Sequence, residues 1–227
     1  MTEVMTTIRA ADLVARLQAG ERDFSSTRIA PEDNDLSANA GYAAMNDYLR
    51  GLTDLRENPI LANGVDWAGI RAPGLYFLGA KMAGANLEGA DLRNADIRRA
   101  DLSGANLRGA NVSGAVFIGT RLMESDFTGA TMIATDLYEA NLTKGVLRDT
   151  DITNGYLLRL NLSEVDLTNA KMTNVDLYRS DLRRAVGLDT VTDLATCRFK
   201  DTAVTGRERD IIEAAFRAQS RFDLRDE

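Results

Sequence analysis

The chain has 227 residues, 44% of them apolar and 27% charged, and carries a net charge of −7. It contains no His and one Cys, which removes Ser–His–Asp and Cys–His nucleophile systems, the common zinc ligand sets and any disulfide framework. No apolar run is long enough to span a bilayer, no P-loop or dinucleotide fingerprint occurs, and no basic region precedes an apolar run at the N-terminus. The composition therefore predicts a cytoplasmic, non-enzymatic protein without cofactors.

In chain order, TTIRAADLVARLQAG predicts a helix that stops at Gly20. RDFSST and RIAPE read as stray blocks of five centred on Phe24 and Ile29. Pro31 opens an insert over residues 31–60, in which NDLSANAGYAAMNDYLRGL predicts a further helix ending near Gly51. Tyr42, Met45, Tyr48 and Leu49 share one face of that helix.

From Tyr76 to Ala185 the sequence divides into 22 consecutive blocks of five without an insertion, and the second residue of each is Leu, Ile, Val, Met or Phe. A period of five is neither 3.6 nor 2, so the segment is neither an amphipathic helix nor an alternating strand. It predicts a solenoid in which each block forms one short side and a corner. Two residues before most centres stands a small residue, most often Ala and elsewhere mostly Ser, Thr or Gly, where the backbone crowds the axis. Two residues after the centre stands Gly in many blocks, as at Gly79, Gly84 and Gly104, relieving the corner backbone. Asp or Asn just before the centre bonds nearby backbone and favours turns.

The blocks ANLEG, ADLRN, ADLSG and ANLRG resemble the pentapeptide-repeat family, whose signature is A(D/N)Lxx. The resemblance covers roughly residues 66–205. It implies an all-β solenoid: a right-handed quadrilateral β-helix with four blocks per coil and coils about 4.8 Å apart, with short terminal α-helices. The organisation expected is an N-terminal helical cap and insert over 1–65, the β-helix over 66–205 and a C-terminal helix over 206–227. Residues twenty apart then stack, giving interior rows that begin at Phe77, Met82, Trp67 and Leu92 and fill the axis. After Leu182 the frame slips by two, with Leu194, Phe199 and Val204 as later centres and a loop at VGLDTV as the expected cause. Cys197 falls at an inward small position and reads as structural. RERDIIEAAFRAQSRF predicts a helix with Ile211, Ile212, Ala215, Phe216 and Phe222 near one stripe, a cap or a dimer-forming element.

The outward positions differ between sides. One side alone carries Tyr76, Leu78, Val116, Ile118, Tyr138, Tyr156, Leu158 and Tyr178, including four of the six tyrosines. Such a patch should be covered, either by the insert or by a partner. The function expected is that of a rigid interaction scaffold, with an unidentified protein or a second copy as partner. Some members of the family imitate B-form DNA and bind DNA gyrase, which makes gyrase modulation the alternative. Residues 61–205, however, hold 18 acidic against 16 basic side chains, whereas a phosphate mimic needs a field of one sign. No net-basic patch stands out, so direct nucleic-acid binding is not expected.

Overall fold

The computed structural model describes residues 5–223, with side chains through residue 218. Its backbone is a ladder of parallel bridges which, from Leu61 to Val186, join residues twenty apart: Tyr76 to Asp96 to Val116 to Asp136 to Tyr156 to Asp176 on one side, and three equivalent ladders on the others. Twenty residues and four bridges per coil confirm the four-sided reading. The sides are numbered here from the rows of Phe77 (face one), Met82 (face two), Trp67 (face three) and Leu92 (face four). All four interior rows are buried. Trp67 meets Phe77 at 6.0 Å and Phe117 meets Phe127 at 6.4 Å between ring centres, so aromatic contacts tie opposite sides, faces three and one, together across the axis.

The repeat follows from where each backbone N–H goes. In a typical block the residue before the centre donates back one coil, as Asp96 N does to Leu75 O at 2.8 Å. The centre and the corner donate forward one coil, as Phe77 N does to Asp96 O and Gly79 N to Arg98 O, both at 2.8 Å. The small inward residue closes the turn onto the preceding centre, as Ala80 N does to Phe77 O. One N–H per block is left over, that of the residue after the centre. The Asp or Asn two places earlier accepts it, as in Ser103 N to Asp101 Oδ1 and Thr143 N to Asn141 Oδ1. The D/N of the signature is thus a hydrogen-bond requirement of the coil.

Corners are left-handed whatever residue occupies them. Gly79 has φ 70°, and Ala134, Glu139 and Arg159 hold φ near 54°. The N-terminal coils meet this with glycine and the later ones mostly with other residues, which carry some strain.

The ladder starts at Asp23, which bridges Leu61, and Arg28 bridges Asp66, so the blocks at Phe24 and Ile29 belong to the coil. Both centres are buried. Below them strand β1 (Thr6–Ile8) pairs in parallel with β2 (Thr27–Ile29). Helix α1 (Ala10–Gln18) follows β1 and buries Ala10, Leu13, Val14 and Leu17; its Arg16 lies 5.2 Å over the Phe24 ring. The expected N-terminal helix is therefore shorter than the sequence suggested, because Thr6–Ile8 are drawn into strand pairing.

Helix α2 (Tyr42–Gly51) buries Tyr42, Met45, Asn46 and Leu49. Tyr48 is a correction: it is 40% exposed, its ring under Arg22 at 5.8 Å. At the other end the slip of two is made in two single steps. Lys171 bridges Thr192 and Asp176 bridges Arg198. VGLDTV accounts for the first step only. At each step a left-handed residue, Gly187 or Asp193, takes the centre position, and the Leu after it, Leu188 or Leu194, turns inward and is buried. A Cβ on Gly187 would stand 2.5 Å from Thr168 Cα, so glycine is required there. Helix α3 (Gly206–Asp223) packs over these two turns. Ile211, Ile212 and Ala215 are half-buried against the core, and Phe216 meets Phe199 edge-on at 6.2 Å. The side chain of Phe222 lies outside the described residues, as do residues 1–4 and 224–227.

Candidate interaction face

Face one has two outward columns. Before the centres run Tyr76, Asp96, Val116, Asp136, Tyr156 and Asp176; after them run Leu78, Arg98, Ile118, Tyr138, Leu158 and Tyr178. The ladder brings all eight expected residues to one side, but they do not form one uniform patch. Asp96 and Arg98 interrupt it with a two-pronged ion pair, at 2.7 and 2.6 Å. In the first column acid alternates with apolar residue. The unbroken element is the second column, Ile118–Tyr138–Leu158–Tyr178, on four successive coils.

The insert closes the N-terminal end of the face. On the other three sides the first coil is paired to the next through Asp23, Arg28 and Asp35, which bridge Leu61, Asp66 and Arg71; on face one α2 stands in that place. The buried Asn46 Oδ1 accepts the Tyr76 N–H at 3.0 Å, doing the work of the missing strand's carbonyl. The Tyr42 hydroxyl donates to Pro73 O at 3.0 Å, and burial pushes its phenol up to about 12. Arg50 lies 5.6 Å over the Tyr76 ring, and Tyr76 is buried. The sequence reading missed Asn46, a lone polar residue on the apolar side of α2. That placement was the signal.

Beyond Arg98 the face opens. Tyr156 is 56% exposed, and Val116, Ile118, Tyr138, Leu158 and Tyr178 are half-buried among their own neighbours. Neither Val116 nor Tyr156 can accept the N–H of the residue two places on, which Asp136 does for Tyr138 and Asp176 for Tyr178, both at 3.0 Å. Cations frame the column. Arg159 lies 5.8 Å over the Tyr138 ring, and Arg179 lies 4.9 Å over that of Tyr178. Arg198 and Lys200 also lie within 6 Å of the Tyr178 ring centre. Glu139 draws the Tyr138 hydroxyl into a hydrogen bond that raises its pKa.

Cys197 is buried, donates to Met172 O at 2.8 Å and has its pKa pushed to about 11 by desolvation, which makes it a poor nucleophile. The carboxylates before the centres are committed to turns and to arginines. No helix among the described residues is long and apolar enough to cross a membrane.

This geometry defines the class: a closed-core, four-sided β-solenoid whose chemistry lies entirely on its outer sides. A family model for pentapeptide repeats matches residues 76–109, 105–143 and 146–184 in eight copies, and this repeat region belongs to that family, with its right-handed β-helix. The match indicates no enzymatic family. Among solved structures, QnrB1, a plasmid-mediated fluoroquinolone resistance protein, aligns at 12% identity over 68% of this chain and 88% of its own, with a TM-score of 0.44. Rfr23 from the cyanobacterium Cyanothece 51142 aligns at 17% identity over 72% and 96%, with a TM-score of 0.37. HetL of Nostoc sp. strain PCC 7120, a protein involved in heterocyst differentiation regulation, aligns at 16% identity over 86% and 94%, with a TM-score of 0.33. No curated protein matches the chain.

Proposed function

We propose that the protein is a non-enzymatic interaction scaffold that presents the column Ile118–Tyr138–Leu158–Tyr178, with Tyr156 beside it, to a protein partner or a second copy of itself. One observation carries this reading. The chain's own insert covers face one at Tyr76 and leaves the later coils open, where Tyr156 is 56% exposed. Rigid aromatic groups on a fixed backbone lose little entropy on binding, and tyrosine with flanking arginine is the composition of interface cores.

The test compares wild type with Tyr138→Arg and with Thr153→Arg, which places the same charge on face four. Solution mass by light scattering and capture of partners from a bacterial lysate are measured together. Wild type and Thr153→Arg should associate, Tyr138→Arg should not, and all three should melt at the same temperature. A wild type that is monomeric and captures nothing would sink the reading.

Gyrase modulation is the weaker alternative. Along the coil, carboxylates alternate with arginines that pair with them, as in Arg108–Asp126 at 3.0 Å and Arg148–Asp166 at 3.2 Å. A surface of mixed sign is a poor imitation of a phosphate backbone. A supercoiling assay tests it directly.

A further inference from the structure

Arginine on this solenoid is nearly always paired. Residues 61–205 contain twelve arginines, and eleven have a carboxylate within 4.0 Å. The exception among the described residues is Arg99, at a corner of face one. Two more cations with no carboxylate in that range stand beside it: Arg56 from the insert and Lys81 from face two. The three converge on one half-open cleft of about 150 Å³, otherwise lined by Leu55, Leu78 and Gly79. No acidic residue lines it. Asp101, which feels the charge of Lys81, is turned to Ser103 at 2.7 Å and to Arg121 at 3.8 Å.

Three cations gathered over an apolar floor repel one another unless an anion joins them. A carboxylate brings one charge and two oxygens. A phosphoryl group brings up to two charges and three free oxygens, matching two guanidinium forks and an ammonium. Pockets for drug-sized ligands run from roughly 300 to 1,000 Å³, so this cleft takes a small head and a short stem. We infer that the cleft binds a phosphomonoester, its oxygens held by Arg56, Lys81 and Arg99 and its stem laid against Leu55 and Leu78. The site lies at the closed end of face one and stands whether or not the tyrosine column binds a protein. Because Arg56 belongs to the insert and the other two cations to the coil, the bound dianion clips the insert down.

Phenyl phosphate, a short phosphoserine peptide and phenylacetate are titrated into the full chain, following the Leu55 and Leu78 methyl resonances and the melting temperature. The phosphate probes should shift both methyls saturably and raise the melting temperature beyond an equal ionic strength of chloride. Affinity should fall about tenfold in Arg56→Gln and in Arg99→Gln, the loss of one charge-assisted contact. Both side chains are exposed, so circular dichroism should show either variant folded. Tighter binding of phenyl phosphate marks a free small molecule as the ligand; tighter binding of the peptide marks a phosphorylated side chain of a partner. The inference fails if neither phosphate probe binds, if phenylacetate binds as tightly, or if both variants bind like wild type.

Discussion

At the scale of single residues, the Asp before each centre closes a turn and carries charge, and the two roles separate by pH. The carboxyls of Asp91 and Asp181 sit below the ordinary range because Arg93 and Arg183 hydrogen-bond them. For Asp101, Asp126 and Asp151, partial burial opposes the shift, and hydrogen bonds from Ser103, Thr128 and Thr153 outweigh it, leaving each lowered. A group lowered by folding stabilises the folded state above its unfolded pKa, near 4, and that stability is lost as pH falls through the lower folded value. The chain has no His. Its melting temperature should therefore be flat from pH 8 to 5 and fall below pH 4. Asn performs the same turn at 106, 111, 141 and 161. In Asp126→Asn, melting at pH 7 should change by less than about 1 kcal/mol, because the lost Arg108 pair is at the surface. Its decline below pH 4 should be shallower than in wild type, and an unchanged decline would exclude the carboxylate as its source.

At the scale of elements, the ends of the ladder are where the sequence was hardest to read. Asn46 shows why. The interior rows repeat at a fixed spacing, so Phe77, Met82, Trp67 and Leu92 could be followed along the chain by arithmetic. The acceptor for the Tyr76 N–H comes from a helix thirty residues away, and the placement of Asn46 on the apolar side of α2 marks a buried polar group without saying which donor it meets. Asn46→Ala should leave that buried N–H without a partner and cost about 1–3 kcal/mol, read from a denaturant midpoint, with the insert more exposed to protease. A cost near zero would mean that α2 is not needed as a lid. Leu188 was missed for a similar reason: it turns inward only because Gly187 occupies the centre in a left-handed conformation. The cap of α3 was legible but overlooked. Thr205 and Glu208 are three apart, the Thr205 N–H donates to Glu208 Oε2 at 2.7 Å, and the threonine hydroxyl meets the same oxygen. On the candidate face the sequence placed every residue on the right side. It could not show that the insert covers Tyr76 while Tyr156 stays open, because that depends on how far α2 reaches.

At the scale of the whole molecule, each coil touches only its neighbours, so stability is a sum of coil and interface terms with the two ends as special cases. The regular register also makes angular position a function of residue count. Removing residues 101–120, one full coil, should leave a folded solenoid shorter by about 4.8 Å. The Tyr138, Leu158 and Tyr178 column would stay in line with the insert, and partner binding should survive, weakened only by the loss of Ile118. Removing residues 101–105, one block, would turn everything downstream by a quarter revolution relative to α2. The tyrosines would then point along what had been an adjoining side, with the core rows still matched apolar to apolar. Circular dichroism and partner capture on the two deletions separate direction from content, and loss of binding in both would tie recognition to the deleted coil itself. A chain built this way behaves as a dial: a change in length that is a multiple of twenty preserves its heading, and any other multiple of five resets it.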